Sequence, residues 1–435
     1  MKKKRLPAIA LVLVAFLAIF SLSTGTSSLA KYVFIRSTGE IQTAEYARSG
    51  SASEIQEAVD WVAEHKGAGN VYLPEGTFNF VEVGEPWVTV NVPAGINIFG
   101  APTERGSDDQ VIEWKTVLVM PYDAAGGGEG YRTWFFRCEG TGDPEKTSRF
   151  SDIKLVGYRE FEPANSSWYG GIEIYNVIDF RVDHCFFKNV AGGGVYLGAP
   201  ANGASCGVID HNKFINDYGY VEWDYLLCTV QYGIMIRRMG TTEWDDDISN
   251  VLGKYTRYTV FIEDNYFSRW RHCVASNDGV HYVFRYNTIE KDSVVGSLDA
   301  HGTYDYVGTR ATEIYRNTVI DPVDNFGADK WDSTTPVLST TGYTFLWRGG
   351  GGVFFNNYIR NYQVGINLVD EGSVEKCWPY GWIWNNTWDN VPIPLQTYSD
   401  YRTITEGRDY FLHEPHTFNY EPYPYPHPLA LEEIP

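Results

Sequence analysis

Histidine, arginine and aspartate side chains recur in short apolar segments in the second half of the chain. These residue types could carry out a base-catalysed reaction on an acidic sugar. His301 or His272 could remove a proton next to a carboxylate, while Arg348 and Arg237 could neutralise that carboxylate. Asp299 could orient His301 or hold a calcium ion, which is the candidate cofactor, although the sequence requires none. The residues predicted to contact a substrate are Arg238, Arg271, Trp347 and Asp370.

This set of residues fits β-elimination of a uronate better than hydrolysis of a glycosidic bond. Hydrolysis needs two carboxyl groups ~5–10 Å apart, and we expect Asp299 and Asp370 to be separated by too many turns of the chain. A structural role competes with catalysis. Arginine and aspartate at strand ends also form ion pairs with each other, and Gly349 to Gly352 can simply make a corner.

A recurring six-residue phrase predicts the elements that position these side chains. It consists of an apolar residue, two variable residues, an asparagine, one more residue and a bulky apolar residue. Its asparagines are Asn212, Asn265, Asn287, Asn317, Asn357 and Asn386, and Cys185 takes the same place in an imperfect first copy. The asparagines are 22 to 53 residues apart, as expected if one coil of a solenoid takes ~20–30 residues and some coils carry loops.

The asparagine is predicted to bend the chain between two strands. Positions i and i+5 of an unbroken strand point to opposite faces, yet both are bulky and apolar here. Asparagine tolerates the left-handed conformation, and its amide can bond to the same residue one coil away. The predicted fold is all-β, a single-stranded right-handed parallel β-helix. Aligning its coils brings the charged residues named above onto one face.

Both ends of the solenoid are predicted to be capped. Ser53 to Gln56 has the pattern of a capping box at the start of a helix that buries Ile55, Val59 and Val62 and ends at Gly67. The C-terminal end is an irregular tail rich in proline and tyrosine. The predicted domains are 1–30, a signal peptide or membrane anchor; 31–50, a linker; 51–400, the β-helix; and 401–435, a tail packed on the β-helix.

The segments Val71–Phe78 and Val92–Gly100, together with the tail segment Tyr420–Leu429, resemble the pectate-lyase-like β-helix superfamily. Members of this superfamily include polysaccharide lyases, glycoside hydrolases, epimerases and binding or adhesive proteins, so the resemblance implies a fold and leaves activity open. The calcium and arginine motifs of pectate lyases themselves have no residue-by-residue match. We expect a carbohydrate-active protein, closer to a lyase than to a hydrolase, that acts on an acidic polysaccharide. The alternative is a non-catalytic carbohydrate-binding surface protein, an adhesin or an envelope component.

Charge and the N-terminal sequence limit the partners and the location. A net charge of −20 excludes nucleic acid as an expected partner, which would need a basic face. Lys2 to Arg5 precede an apolar run from Leu6 to Leu22, and Ser28 and Ala30 are small residues typical of a cleavage site. The protein is therefore predicted to be secreted, or anchored at the outer face of the membrane through the uncleaved run.

The cysteines and two histidines show no complete metal motif. Six cysteines lack a Cys-x-x-Cys spacing, so buried unpaired thiols are expected rather than zinc ligands. His184 and His211 precede the repeated ladder position in adjacent copies and are predicted to form an outward-facing pair. No second cluster is evident that would complete a metal site. The oligomeric state is not predicted.

Overall fold

The repeated phrase folds into three parallel sheets that run the length of a right-handed β-helix, as predicted. The computed structural model describes residues 31–35, 41–83, 85, 88–120, 132–157, 168–190, 192–200, 203–217, 232–237, 247–290, 296–302, 308–321, 342–371, 378–399 and 401–432. The Leu6–Leu22 run, Arg238, Cys228 and Cys377 lie outside these residues. Within them, no helix is both long enough and apolar enough to cross a membrane.

The three sheets, here named A, B and C, each take one strand from successive coils. In the described residues, the strands of sheet A are Lys31–Ile35, Ile41–Tyr46, Gly69–Tyr72, Ile96–Phe99, Arg149–Ser151, Phe180–Asp183, Gly207–Asp210, Thr259–Glu263, His281–Arg285, Ala311–Tyr315, Gly350–Phe355, Pro379–Trp384 and Tyr410–Phe411. Those of sheet B are Gly76–Asn79, Thr116–Val119, Ile153–Val156, Phe186–Lys188, Lys213–Ile215, Tyr266–Ser268, Thr288–Glu290, Thr318–Ile320, Tyr358–Arg360 and Thr387–Asp389. Those of sheet C are Val90–Pro93, Arg132–Glu139, Trp168–Tyr175, Gly193–Gly198, Tyr232–Ile236, His272–Ser276, Leu298–Ala300, Tyr343–Trp347, Val364–Asp370 and Ile393–Ser399.

Several elements depart from the repeating parallel coils. The first two strands of sheet A, Lys31–Ile35 and Ile41–Tyr46, pair antiparallel. Glu104–Arg105 pairs antiparallel with Val111–Glu113 to form a short hairpin. The helix Ala52–Lys66 covers the first coils and ends at Gly67, which has a φ of 72°. Short 3-10 turns span Ile248–Asn250 and Pro428–Leu431.

The prediction for the start of the helix was wrong by two residues. Ser51, not Ser53, is the N-cap residue, and its side chain makes no capping bond. Gln56 is engaged elsewhere, because its amide exchanges two hydrogen bonds with the backbone of Asn91. The prediction that Ile55, Val59 and Val62 of the helix are buried is confirmed.

The asparagine side chains form a continuous ladder at the corner between sheets A and B. Each amide oxygen accepts a hydrogen bond from the backbone N–H of the equivalent residue in the preceding coil, at 2.8–3.1 Å. The amide nitrogens donate to backbone carbonyls around the same corner. Cys185 joins the ladder through its backbone N–H, which donates to Asn212. The predicted ladder is therefore confirmed.

The left-handed residue at each corner is the one before the asparagine, which corrects the prediction. The φ angles are 55° at His211, 58° at Asp264, 57° at Tyr286 and 57° at Arg316. A left-handed non-glycine residue costs roughly 1–2 kcal/mol. The amide bonds of the ladder compensate for this cost. The bend turns the side chain of this preceding residue away from the interior, while the asparagine points along the stack.

The interior of the coils is apolar and contains stacked rings. Phe187, Phe214 and Phe267 lie over one another with centroids 4.6 and 4.7 Å apart. Cys138, Cys185 and Cys206 are buried free thiols in the described residues, and Cys273 is also buried. Burial raises the pKa of the Cys138 thiol to about 12, so this group is an inert core residue.

The C-terminal tail, residues 401–432, contacts the outer face of sheet A over several coils. Its backbone is held by arginines of that sheet. Arg285 donates to the carbonyl of Tyr423 at 2.6 Å, and Arg181 donates to that of Glu432 at 2.8 Å. The tail therefore covers a row of buried ion pairs on sheet A.

Replacing Asn287 by Ala tests the ladder. The change removes the bond partners of the Asn265 backbone N–H and of the carbonyls of Ile262 and Arg285. Each buried polar group left unpaired costs about 1–3 kcal/mol, so the free energy of unfolding should fall by about 3 kcal/mol or more. The control is Asn386→Ala at the partly exposed end of the ladder, which should lose less in the same denaturant titration. Equal losses would contradict this account.

Candidate active site

Four residues occupy equivalent positions immediately after four successive strands of sheet C. They are Arg237, Asn277, His301 and Arg348. The backbone N–H of His301 donates to the Ser276 carbonyl at 3.0 Å, and that of Arg348 donates to the Ala300 carbonyl at 2.9 Å, with the same pattern at the other two. The predicted alignment of the two arginines with His301 is confirmed.

Asp299 is the centre of this group. It points outward from sheet C, two residues before His301, and is nevertheless fully buried. Arg348 binds it in a two-pronged ion pair, with Nε 3.0 Å from Oδ1 and Nη2 2.6 Å from Oδ2. The Nε2 atom of His301 lies 2.8 Å from Oδ2, and that of His272 lies 3.4 Å from the same oxygen. One carboxylate thus gathers three cationic or titratable side chains.

These contacts fix the charge of Asp299 and tune His301. Burial alone would raise the pKa of Asp299, but Arg348 and the two histidines hold it well below its usual range. Burial alone would lower the pKa of His301, but Asp299, with a smaller contribution from Glu371, raises it above its usual value. The His301 side chain remains 28% exposed, so a solute can reach it.

His272 is not available as the predicted base. Its side chain is 2% exposed, and Nδ1 donates to the Gly296 carbonyl at 2.6 Å. Burial lowers the pKa of His272 to about 4, so the ring is neutral at neutral pH. The backbone of His272 pairs with that of Tyr232 in the preceding coil. His272 therefore does not occupy the position equivalent to His301, which in its own coil belongs to Asn277. It lies beside Asp299 as a neutral, buried side chain.

Arg348 is occupied and does not match its predicted role as a carboxylate clamp. One edge of its guanidinium binds Asp299, and Nη1 binds Glu371. The group also contacts the His301 ring. Arg348 therefore links the two carboxylates and holds Asp299 against His301.

Sequence reasoning missed Tyr232 and Glu371. The Tyr232 ring stacks on His272 with centroids 5.6 Å apart, and its hydroxyl lies 3.4 Å from Nη1 of Arg271. Burial raises the pKa of Tyr232, so its hydroxyl stays protonated at neutral pH. Glu371 Oε2 lies 3.6 Å from Nδ1 of His301. Each residue lies immediately outside an apolar segment used in the alignment, which is the signal that could have revealed it.

The structure contradicts two of the predicted substrate contacts. Trp347 is fully buried inside the coils and donates to the Gly350 carbonyl at 3.1 Å. Asp370 is also fully buried, and it accepts hydrogen bonds from the backbone N–H groups of Tyr401 and Arg402 at 3.0 and 2.6 Å. It lies one residue beyond the aligned position, so strand alternation turns it inward.

Asp299 is also unsuited to the predicted calcium site. Calcium takes ~6–8 oxygen ligands, whereas both oxygens of Asp299 already face nitrogen atoms of Arg348, His301 and His272. A divalent cation would replace favourable ion pairs with repulsion from the arginine. Calcium is therefore not assigned to this site.

A separate cavity of about 500 Å³ lies between the A–B corner of the last coils and the tail. Phe355, Asn356, Trp384, His416 and Tyr420 are among its lining residues. None of the predicted site residues lines it.

Comparison with known proteins supports no argument beyond the fold. No protein-family model matches the sequence, and no curated protein matches it. The A-module of a mannuronan C-5 epimerase from Azotobacter vinelandii is 14% identical, over 82% of this chain and 97% of that one, with a TM-score of 0.42. A mannuronic acid-specific family 6 polysaccharide lyase from the human gut microbiota is 14% identical, over 83% and 77%, with a TM-score of 0.45. A tailspike protein of E. coli bacteriophage HK620, in complex with a pentasaccharide, is 11% identical, over 88% and 69%, with a TM-score of 0.49.

The chain is a parallel β-helix protein. Its own strand pairing establishes that fold, and at these identities and TM-scores any function has to be argued from the side chains.

The substitution Asp299→Asn should lower the pKa of His301. Asp299 makes the largest favourable contribution to the charged ring, through both charge and a hydrogen bond. The pKa is measured by NMR titration of labelled histidine. Glu371→Gln is the comparison and should lower it less, because its oxygen is 3.6 Å away. An unchanged His301 pKa in Asp299→Asn would show that the two groups are not coupled.

Proposed function

We propose that this protein is an exported, polysaccharide lyase-like enzyme. It acts on an acidic polysaccharide at the outer face of sheet C, around Asp299. The observation that carries the proposal is the sharing of one buried carboxylate, Asp299, by His301, His272 and Arg348. Perturbed titratable groups that converge in this way are typical of functional sites. Export is proposed from the basic and apolar sequence at the N-terminus.

His301 is the proposed base. Nε2–H of His301 donates a hydrogen bond to Asp299 at 2.8 Å, so the neutral ring has its lone pair on Nδ1. Nη2 of Arg348 lies 2.6 Å from Nδ1, so Nδ1 can take the proton next to the uronate carboxylate only after this contact opens. Asp299 then stabilises the imidazolium that forms. Arg348 holds Asp299 and Glu371 in place around the ring. It acts as a positioning residue and is not a substrate clamp.

The proposed substrate carboxylate binds to one of the other two arginines of this face. Arg271 lies beside the Tyr232 hydroxyl, and Arg237 follows the neighbouring strand. The buried Nε of Arg237 has no hydrogen-bond partner among the described residues, which supports a role in binding an anion. The protonated Tyr232 hydroxyl is the proposed donor to the leaving oxygen.

A purely structural role explains the ion pairs of sheet A better than those of sheet C. On sheet A, Arg149 pairs with Asp183 and Arg181 pairs with Asp210, and each of these aspartates also contacts one histidine. Asp299 contacts one arginine and two histidines, and the side chain of His301 is 28% exposed. Buried ion pairs contribute little net stability, so this arrangement favours a function.

His301→Ala should abolish release of unsaturated product from uronate-containing polysaccharides. A positioned base contributes about 10²–10⁴-fold to rate, and the loss should be of that order. Activity is measured as the ultraviolet absorbance of the new double bond, on a panel that includes alginate, polygalacturonate and hyaluronan.

The matched control is His65→Ala, which removes an exposed histidine on the N-terminal helix and should leave the rate unchanged. Equal activity of the His301→Ala and wild-type proteins on a cleaved substrate would exclude His301 as the base.

The pH profile of the reaction tests the coupling of His301 to Asp299. A base must be neutral to accept a proton, and the pKa of His301 is raised, so the rate should climb as pH rises through that raised pKa. In Asp299→Asn the pKa falls, so the acid limb should move to lower pH while the maximum rate drops. An acid limb at the same pH in both proteins would contradict the assignment.

The alternative function is binding without catalysis, and one observation favours it. Arg348 is saturated by Asp299 and Glu371, as expected of a rigid structural network. In this case no polysaccharide would give unsaturated product, but an anionic polysaccharide would bind the wild-type protein more tightly than Arg271→Ala. Affinity electrophoresis with the same panel distinguishes the two functions.

A further inference from the structure

His184 and His211 form a stacked pair at the A–B corner of two successive coils. Both are left-handed corner residues, with φ angles of 51° and 55°, so their side chains project away from the interior. Their rings are nearly parallel, with centroids 5.0 Å apart and planes 12° apart. The asparagine ladder thus sets two imidazoles side by side on the outside of the solenoid.

Each ring is oriented by a buried carboxylate. Nδ1 of His184 donates to Asp183 at 2.7 Å, and Nδ1 of His211 donates to Asp210 at 3.0 Å. A carboxylate only accepts, so the proton of each neutral ring is on Nδ1 and the lone pair is on Nε2. Histidines that bind metals are held by carboxylates in this way. Both Nε2 atoms are therefore preset as ligands.

Asp109 completes the group from a distant part of the sequence. It lies in the turn of the hairpin made by Glu104–Arg105 and Val111–Glu113, and its Oδ2 is 3.2 Å from Nε2 of His184. One ligand atom from each of Asp109, His184 and His211 lies within 4.8 Å of the other two. Sequence analysis did not identify Asp109, which the structure places beside the predicted histidine pair.

The hairpin is fixed against this corner by contacts that do not involve the two imidazoles. Arg105 bridges Asp109 and Asp152, with both contacts at 3.2 Å. Gln110 donates to the carbonyl of Asp264 at 3.1 Å, and Trp114 donates to a backbone carbonyl at the same corner. The position of Asp109 is therefore preorganised.

We propose that His184, His211 and Asp109 bind a divalent first-row transition-metal ion of the Zn²⁺ type. Two imidazole nitrogens and one carboxylate oxygen are a common donor set for such ions, with a fourth position left for water. The 3.2 Å between His184 and Asp109 is close to the ~3.3 Å between two ligands that each lie ~2.0–2.1 Å from a tetrahedral ion.

A network of hydrogen bonds alone explains the geometry less well. With Nδ1 protonated, Nε2 of His184 presents a lone pair to the carboxylate of Asp109. This contact is favourable only if a proton or a metal ion lies between the two atoms. A proton on Nε2 would satisfy that one pair. A metal ion would satisfy Nε2 of His211 at the same time, because this atom lies within reach of the same carboxylate.

Such an ion would link the hairpin to two coils of the β-helix. Binding to the folded state stabilises it by mass action, so the ion would raise the temperature of unfolding. The site is on the A–B corner and shares no residue with the group around Asp299, so this inference is independent of the saccharide chemistry.

The test is metal binding by the full chain, prepared without an oligohistidine tag and stripped with a chelator. Zn²⁺ is titrated in competition with a chromophoric chelator, and Co²⁺ is added separately for its visible spectrum. The wild-type protein should bind a single tight equivalent of Zn²⁺, give the intense visible absorbance of four-coordinate Co²⁺, and unfold at a higher temperature with Zn²⁺. Asp109→Asn and His211→Gln should each weaken Zn²⁺ binding by at least about 100-fold, which is the upper end of the ~10–100-fold cost of losing an outer-shell partner.

Both substitutions are at positions that the fold tolerates, since Asp109 is exposed and His211 is partly exposed. The matched control is Asp108→Asn, which removes the adjacent exposed carboxylate of the same hairpin and should bind Zn²⁺ like the wild-type protein. Equal affinity in all four proteins, or no tight site in the wild type, would overturn the proposal. Circular dichroism of the stripped variants confirms that weakened binding is not a failure to fold.

Discussion

The coils from Cys185 to Asn386 depend on the hydrogen bond between the amide oxygen of a corner asparagine and the backbone N–H of the equivalent residue in the coil before it. This bond, at 2.9 Å between Asn287 and Asn265, fixes the register of each strand on its neighbour. Register decides which side chains face outward, because strand side chains alternate. The column that contains His301 and Arg348 therefore follows from the ladder. So does the histidine pair, because the left-handed residue that turns outward is the one before each asparagine.

Buried carboxylates on the outer surfaces of sheets A and C are neutralised in two different ways. On sheet A, Asp183 and Asp210 each bind one two-pronged arginine and one histidine, and the tail covers the row of ion pairs. On sheet C, Asp299 is shared by an arginine and two histidines with opposite pKa shifts. The first pattern neutralises charge and holds the tail. The second raises the pKa of the exposed His301 and leaves the buried His272 neutral, which is a difference between two imidazoles that neutralising one carboxylate does not need.

The fold and part of the site could be predicted from the sequence because both repeat with the coils. The asparagine phrase gave the β-helix, and it aligned His301 with Arg348. It could not place His272, because the spacing from the asparagine to sheet C changes from coil to coil. Trp347 and Asp370 were assigned to the wrong side, since a shift of one residue reverses the face. Asp109 could not be found at all, because the contact of the hairpin with the corner joins residues that no sequence period relates.

The central claim is that the outer face of sheet C, around Asp299, binds an anionic saccharide. A crystal structure of the protein with an acidic oligosaccharide that it binds or cleaves tests this most directly. The account predicts a uronate carboxylate beside Arg271 or Arg237, with its ring next to His301 and Tyr232. An oligosaccharide bound on another face, such as the cavity beneath the tail, with the surface around Asp299 unoccupied, would contradict it.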